Sequence, residues 1–245
     1  MSREQLLSRV FVELADTLVT EFDALDLLHI LTDRSVELLH ADAAGLILGD
    51  QRGHLQVVAS TSHTARLLEL FELQNSEGPC LDCFTTGQPV VNVDLLEAKE
   101  RWPSFMIAST EAGYQSTHAL PLRLRDHVIG AMNLFCLEKS TLSEDDIALG
   151  QALADVATIG LLQERAVRQQ ELLAEQLQTA LNSRILIEQV KGALAERAGM
   201  DVDEAFDVMR AFSRKARRPL TGVALAVVNG SMTVRELQIG PPEIR

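Results

Sequence analysis

Hydrophobic and polar positions along the first 160 residues alternate between a helical period and short strand-like runs. Apolar residues at helical spacing predict helix over residues 3–39, with a possible break near 20–26, and again over 64–73. Short apolar runs bounded by turn residues predict strands at residues 43–48, 55–59, 90–93, 118–124 and 127–135. The turn residues between the first two and the last two strands predict two hairpins.

Between the hairpins the pattern is less regular. We expect turns at Gly78-Pro79 and at residues 87–89, and a mixed segment over 102–114. Ser143 and Asp146 resemble a capping box that opens a further helix. The order of elements predicts an α+β domain over residues 1–160, with an antiparallel sheet and flanking helices.

Residues 161–191 contain no Gly or Pro and predict one long helix, whose part 161–180 connects the first domain to the C-terminal residues. A heptad-like seam runs along this helix through Leu173, Leu177, Ala180, Arg184 and Ile187. The seam favours a parallel coiled-coil homodimer. A single amphipathic helix packed on its own domain is the alternative.

Residues 181–245 predict a three-helix bundle formed by the end of the long helix and two shorter helices. The helix boundaries are expected at Gly199, Pro219 and Asn229-Gly230. In the middle helix, one face is apolar and the other is basic. The basic face consists of Arg210, Arg214, Arg217 and Arg218 at i, i+4, i+7 and i+8.

Charge and composition restrict the classes of protein that fit. The net charge is −13, but residues 181–245 hold 10 Lys and Arg against 8 Asp and Glu, whereas the preceding residues hold 12 against 27. Nucleic-acid binding is therefore expected only at the C-terminal end. No apolar signal segment or membrane span is recognisable, and three cysteines do not form a disulfide framework, so we expect a cytoplasmic protein without membrane contact.

Residues 183–197 and the motifs Asp203-Glu204-Ala205-Phe206, Met209-Arg210 and Val223-Ala224 resemble the ANTAR domain, the RNA-binding module of bacterial antitermination regulators. The resemblance implies a dimer that binds tandem RNA stem-loops overlapping a terminator. Arginine and lysine suit RNA phosphates and guanine edges. The expected RNA contacts are Lys191, Arg210, Arg214, Arg217, Arg184 and Arg218.

A DNA-binding regulator is an alternative use of three C-terminal helices. In a helix-turn-helix the basic residues are expected on the recognition helix. Here the last predicted helix, over residues 220–228, is nearly uncharged. This distribution favours RNA over DNA.

The first 160 residues resemble a GAF domain. The resemblance rests on the hairpin over 43–59, on Glu77-Gly78-Pro79-Cys80, on Gly87-Gln88-Pro89-Val90, and on Leu120-Pro121-Leu122 with residues 129–134. It implies a sensor that can bind a small molecule, whose identity and cofactor are unknown. Candidate pocket residues are Cys80, Cys83, Trp102, Phe105, Tyr114 and Met132, and plain core packing is the alternative for each.

Cys80 and Cys83 have the spacing of a redox motif or half a zinc site. The sequence contains no second pair of Cys or His at metal-binding spacing, so no metal site is predicted. Redox use is possible in an exposed loop after Gly78-Pro79, and two ordinary small residues beside a pocket are the alternative. Some GAF-fold proteins reduce free methionine sulfoxide, which makes a thiol enzyme a second alternative. No nucleophile with a recognisable base supports it, and we expect a regulator rather than an enzyme. His118 and His127 are expected at surface or hydrogen-bonded positions.

Overall fold

The computed structural model describes residues 3–17, 23–50 and 52–239. Two helices, α1 (Arg3–Thr17) and α2 (Ala24–Leu39), open the chain, so the predicted helix over 3–39 is divided. Asp23 caps α2, because its side chain accepts a hydrogen bond from the Leu25 N–H at 2.8 Å. Of the predicted break near 20–26, residues 20–22 lie outside the described part, and the extended backbone of Asp23 agrees with a break there.

Five strands form one antiparallel sheet in the order β2-β1-β5-β4-β3. The strands are β1 (Ala43–Gly49), β2 (Leu55–Ser60), β3 (Val90–Asp94), β4 (Ser116–Leu124) and β5 (His127–Cys136). Both predicted hairpins are confirmed, as β1–β2 and β4–β5. The predicted antiparallel sheet with flanking helices is therefore confirmed.

The two faces of the sheet pack against different helices. Along β5, Met132 and Leu134 join a core with α1, α2 and the start of α6 (Glu144–Ala198). Ala131 and Phe135, at the alternate positions, join a second core with α3 (His63–Asn75), α4 (Pro79–Thr86) and α5 (Pro103–Glu111). The strand period of two thus divides the interior into two layers.

Helix α4 lies where the sequence pattern predicts two turns. Pro79 occupies its first turn, Gly78 precedes it with φ +148°, and Gly87 ends it in the left-handed conformation. The Gly and Pro signals therefore mark the two ends of a helix, since the same residues favour turns and helix caps. The mixed segment over 102–114 also contains helix, namely α5, and a short 3₁₀ helix over Glu97–Glu100 precedes it.

Helix α6 begins at the predicted capping box. The Asp146 N–H donates to Ser143 Oγ at 3.2 Å, and the Ser143 N–H donates to Asp146 Oδ2 at 3.2 Å. The helix is unbroken to Ala198, and Gly199 follows with φ +66°. Among the described residues, no helix combines the length and apolar character that crossing a membrane requires.

Residue contacts divide the chain into an N-terminal unit, Met1–Ala166, and a C-terminal unit, Val167–Arg245. The C-terminal unit contains the rest of α6, α7 (Val202–Ala216), α8 (Leu220–Val228) and α9 (Val234–Ile239). Its core includes Val190 and Leu194 from α6, Met209 from α7 and Val223 from α8. The three predicted helices are confirmed, and α9 is an addition.

Candidate functional site

All five arginines predicted to contact RNA have side chains that reach solvent. Arg210 and Arg214 lie one turn apart on α7, but α7 ends at Ala216. Arg217 caps the helix in the left-handed conformation, with φ +50°, and Arg218 follows it in the turn. Pro219 cannot continue a helix and disfavours helical backbone at the preceding residue.

The predicted helical stripe of four arginines is therefore wrong for Arg217 and Arg218. The basic residues instead gather where α7 ends and the turn to α8 begins. We call Arg210, Arg214, Lys215, Arg217 and Arg218 the basic cluster, and each of them is exposed. Arg184 lies apart from it in sequence, on α6.

The charges along α7 also complement the helix dipole. Asp203 and Glu204 lie in its first turn, while Arg214 and Lys215 lie in its last turn. Each such charge stabilises a helix by about 0.3–1 kcal/mol. Part of the charge pattern therefore stabilises the helix, and Arg210, Arg217 and Arg218 lie outside these two turns.

Lys191 occupies a different setting from the arginines. Its side chain is only 13% exposed, and its Nζ lies 3.1 Å from Glu188 Oε2. The same Nζ lies 5.4 Å from the centre of the Phe206 ring, within cation–π range. Lys191 thus links α6 to α7, and its charge is already partnered within the unit.

In the N-terminal unit, a group of buried polar residues lies between the sheet and helices α3 and α4. Glu69, Glu72 and Cys80 are fully buried, and their ligand atoms all lie within 4.8 Å of one another. We call these three residues the acid–thiol cluster. Burial raises the pKa of both carboxyls, and the pKa of Glu72 is raised further by the charge of Glu69.

Each member of the cluster has a defined neighbour. Glu72 Oε1 accepts the Leu81 N–H at 2.6 Å, at the beginning of α4. Asn133 on β5 donates from Nδ2 to Glu72 Oε2 at 3.4 Å, and Cys80 Sγ lies 3.9 Å from Glu69 Oε1. Glu69 Oε2 has no hydrogen-bond partner in the described part of the chain.

Two glycines make room for the carboxylates. A Cβ on Gly45 would lie 2.5 Å from Glu69 Cγ, and a Cβ on Gly78 would overlap the Glu72 carboxyl group. Gly78 also has φ +148°, a conformation that other residues rarely adopt. The backbone of β1 and of the turn before α4 is therefore shaped around these two acids.

Cys80 and Cys83 lie on the buried face of helix α4 and not in the exposed loop considered for redox use. Cys80, Cys83 and Cys136 are all free and buried. Burial raises the pKa of the Cys80 thiol and raises that of Cys83 to about 12. Raised pKa values disfavour the thiolate, which is the reactive form in thiol chemistry.

The intervening Asp82 has a structural role. Its Oδ2 accepts from Trp102 Nε1 at 3.1 Å and from Arg101 Nε at 2.8 Å. Nearby, the Phe105 N–H donates to Glu77 Oε1 at 2.7 Å, which satisfies a donor at the beginning of α5. Acidic residues around the Cys-x-x-Cys motif thus hold α4 and α5 together.

Five of the six candidate pocket residues share one face of the sheet. Cys80, Cys83, Trp102, Phe105 and Tyr114 belong to the same buried core. Met132 belongs to the core on the opposite face, so its inclusion with the others is wrong. Strand alternation is the reason, because Met132 follows Ala131 on β5.

Surface cavities of about 380 and 390 Å³ lie elsewhere in this unit. The first is lined by Phe84, Val128 and Arg165 among others, and the second by Asp42 and Lys139 among others. Neither contains any of the six candidate residues. Binding of a small molecule by those residues stays a prediction.

The two histidines differ in environment. His127 is exposed. His118 is fully buried on β4, where its Nδ1 accepts the Asn92 N–H at 2.9 Å, and burial lowers its pKa to about 4. His118 is thus a hydrogen-bonded interior residue and His127 is a surface residue, and both environments are among those expected from the sequence.

Glu69 and Glu72 were not identified from the sequence. On a helix, they fall at i+4 and i+7 from Ala65 and share the buried face with Ala65 and Leu68. Two acids on the apolar stripe of a predicted helix were the available signal. Their approach to Cys80 depends on the fold, because α3 and α4 meet only in the tertiary structure.

Comparisons with known proteins identify both units. The GAF domain family model matches residues 23–162, and the ANTAR domain family model matches residues 175–228. No curated protein matches the chain.

Solved structures of GAF domains share the fold of the N-terminal unit. The GAF domain of the Acinetobacter phosphoenolpyruvate-protein phosphotransferase has 17% identity and a TM-score of 0.52, and covers 68% of this chain and 98% of its own. The corresponding Coxiella burnetii domain has 17% identity, a TM-score of 0.53, and coverage of 69% and 99%.

A free methionine-R-sulfoxide reductase from Neisseria meningitidis, solved with its substrate, has 16% identity, a TM-score of 0.52, and coverage of 68% and 95%. At these identities the likeness concerns the fold alone.

The two family matches, one after the other along the sequence, agree with the two units of the structure. The chain therefore belongs to the GAF domain family and, since an ANTAR domain comes after the GAF domain, has the GAF-ANTAR architecture.

Proposed function

We propose that this chain is a signal-controlled regulator that binds tandem stem-loops in nascent RNA as a homodimer in the cytoplasm and promotes transcription antitermination. The domain composition supports an ANTAR-type RNA-binding regulator under the control of a GAF sensor. The observation that carries the RNA part is an exposed basic cluster within the matched ANTAR domain. The regulated step and the stem-loop target rest on the family resemblance.

The basic cluster is suited to a folded RNA. Arginine presents a planar fork of donors that matches phosphate oxygens and guanine edges. The aromatic residues of α7 do not offer a stacking platform, because Phe212 is buried and Phe206 lies beneath Lys191. Single-strand binding modules depend on such platforms, so a base-paired target fits this surface better.

The part of α6 within the C-terminal unit supports self-association. Leu173 is 55% exposed and Leu177 is 62% exposed, and three more exposed apolar side chains, Leu172, Leu181 and Ile185, lie along the same segment. A row of exposed leucines on a long helix is typical of coiled-coil association. A dimer of this chain would also present two RNA-binding units, one from each copy, which suits a tandem pair of stem-loops.

A gel-shift experiment tests RNA binding by the full chain without an affinity tag. The probe is selected in vitro from a pool of tandem hairpins with randomised loops. We expect Arg210→Glu with Arg214→Glu to weaken binding by at least about a hundredfold, because two phosphate or base contacts become repulsive. Arg214→Gln alone should reduce the slope of log affinity against log salt by about 1.

Arg235→Glu is the control for charge reversal, since Arg235 is exposed on α9 of the same unit and receives the same change of charge as each of the two substitutions. We expect it to change affinity little. Lys191 is left intact in this test, because its replacement would disturb the contact with Phe206. The proposal fails if the wild type enriches no hairpin, or if the folded double variant binds as well as the wild type.

A further inference from the structure

The acid–thiol cluster places two carboxyl groups and a thiol in an interior without a compensating cation. Neither Glu69 nor Glu72 forms an ion pair with a described residue, and no basic side chain contributes to their shifted pKa values. A buried pair of carboxylates is strongly unfavourable unless protons or a bound cation neutralise it. The cluster is therefore built for one of these two occupants.

Several observations favour a cation over protons alone. Glu69 Oε2 is fully buried and has no hydrogen-bond partner in the described part of the chain. A protonated pair of acids would be expected to share a hydrogen bond, and none joins Glu69 to Glu72 among the described contacts. The third neighbour is a thiol, which is a poor hydrogen-bond partner but a strong metal ligand as the thiolate.

We propose that Glu69, Glu72 and Cys80 form a binding site for a divalent transition-metal ion. The donor set of two carboxylate oxygens and one sulfur excludes the ions that require only oxygen ligands, such as Mg²⁺ and Ca²⁺. Zn²⁺ and Fe²⁺ accept both kinds of donor. These are the two ions that the site fits best.

The spacing of the ligand atoms is close to what such an ion needs. Ligands held tetrahedrally at about 2.0–2.3 Å from a metal are separated from one another by roughly 3.3–3.8 Å. Cys80 Sγ and Glu69 Oε1 are 3.9 Å apart, and no pair in the cluster exceeds 4.8 Å. Side-chain adjustments of about 1 Å or less would bring all three into coordination.

The ion offsets most of the charge of the site. A divalent ion neutralises the two carboxylates, and coordination releases to solvent the Cys80 thiol proton together with any proton that a carboxyl group held, which leaves one net negative charge. The remaining negative charge lies at the beginning of α4, where the helix dipole is favourable and the Leu81 N–H already donates to Glu72. With three protein ligands, a fourth position stays open for water or another small ligand.

Residues behind the ligands orient them. Asn133 donates to Glu72 Oε2, and the Thr117 hydroxyl lies 2.8 Å from Asn133 Oδ1, which fixes the orientation of the Asn133 amide. Such supporting contacts are typical of metal sites. The metal site belongs to the N-terminal unit and goes beyond the proposed RNA function. It does not depend on that function, because metal binding is measured without RNA.

The experiment measures metal content of the full chain, expressed without an affinity tag in medium supplemented with zinc or iron. We expect about one equivalent of metal per chain by elemental analysis. Dialysis against a chelator followed by titration with Co²⁺ should produce the near-ultraviolet absorption of a thiolate–cobalt bond. Cys80→Ser should remove this absorption and weaken binding by at least about a hundredfold.

Cys83→Ser is the matched control, since Cys83 is also buried and lies one turn further along α4. It should retain both the metal and the cobalt absorption. A Glu69→Gln, Glu72→Gln variant keeps the shape of the cluster and removes its charge, so it should fold without metal and contain none. Tryptophan fluorescence from Trp102 monitors folding in each case.

Either of two results would overturn the proposal. The first is a wild type that contains no metal above trace level and shows no thiolate absorption with Co²⁺, which would leave protons as the occupant. The second is a folded glutamine variant or Cys80→Ser that binds metal as tightly as the wild type, which would place the ion elsewhere. Loss of metal with unchanged RNA binding would separate this inference from the proposed function.

Discussion

In the N-terminal unit Glu69, Glu72 and His118 are fully buried, whereas in the C-terminal unit the arginines of the basic cluster are exposed. A buried ionisable group changes the stability of its domain when it gains or loses a proton or a ligand. An exposed group acts on a partner at little cost to the fold. Substitutions in the first unit should therefore alter stability, and those in the second should alter association.

The largest effect is expected at the exposed leucines of α6. Leu173→Asp with Leu177→Asp should weaken self-association by at least about a hundredfold, because each leucine buried at an interface contributes about 1.5–3 kcal/mol. Gln178→Asp with Asn182→Asp, at exposed positions on the opposite face of the same helix, adds the same charge and should leave association intact. Analytical ultracentrifugation measures both. Unchanged association of the leucine variant would remove this face from the interface.

The next effect concerns the buried imidazole of the N-terminal unit. The pKa of His118 is about 4 in the folded chain against an ordinary 6.5, because burial disfavours the charged form. The unfolded chain therefore binds the proton first as the pH falls. Protonation of the unfolded chain therefore lowers the free energy of unfolding by about 3 kcal/mol. This contribution to stability is fully present above pH 6.5 and is lost between about pH 6.5 and 4.

Urea unfolding at several pH values, followed by the fluorescence of the single tryptophan, Trp102, measures this effect within the N-terminal unit. His118→Asn retains an acceptor for the Asn92 N–H and does not titrate. Its stability relative to the wild type should rise steadily as the pH falls. A constant difference between the two proteins would show that His118 is not the group responsible.

The smallest effects are expected when one glycine in each unit is replaced by alanine and the stabilities of the two variants are compared. Gly45→Ala should destabilise the N-terminal unit by about 2 kcal/mol, because the added methyl group overlaps Glu69. Gly192→Ala should stabilise α6 by about 0.5–1 kcal/mol, since a Cβ there meets no atom within 4 Å.

A double-mutant cycle sharpens this prediction. In a Glu69→Ala background, Gly45→Ala should lose most of its cost, because the overlapping atoms are gone. Trp102 fluorescence reports the N-terminal unit and circular dichroism reports the helices of both. An equal cost in both backgrounds would mean that Gly45 is required for a reason other than the room it leaves for Glu69.

Local pattern predicted the sheet well because each strand has its own signal. The runs at 43–48 and 127–135 alternate with clear turn residues, and both became strands with nearly the predicted ends. Helix α4 could not be distinguished from two turns, since Gly78, Pro79 and Gly87 are equally suited to turns and to helix caps. The helix that carries Cys80 was therefore not predicted from the sequence.

The candidate site residues show the same difference between local and tertiary information. The exposed arginines were identified from motif spacing on adjacent turns, which is local information. Arg217 was misplaced because its left-handed conformation depends on how the chain turns before Pro219. The acid–thiol cluster required knowledge of how α3 packs on α4 and β5, and sequence spacing does not contain that information.

The central claim, that the exposed basic cluster acts on nascent RNA, is tested most directly by transcription in vitro. The template carries the selected tandem hairpins overlapping an intrinsic terminator, and the products are terminated and read-through transcripts. We predict that the wild-type chain raises the read-through fraction, while Arg210→Glu with Arg214→Glu leaves it at the level without protein and Arg235→Glu behaves as the wild type. Equal read-through with the wild type and the folded double variant, or no change with either, would contradict the account.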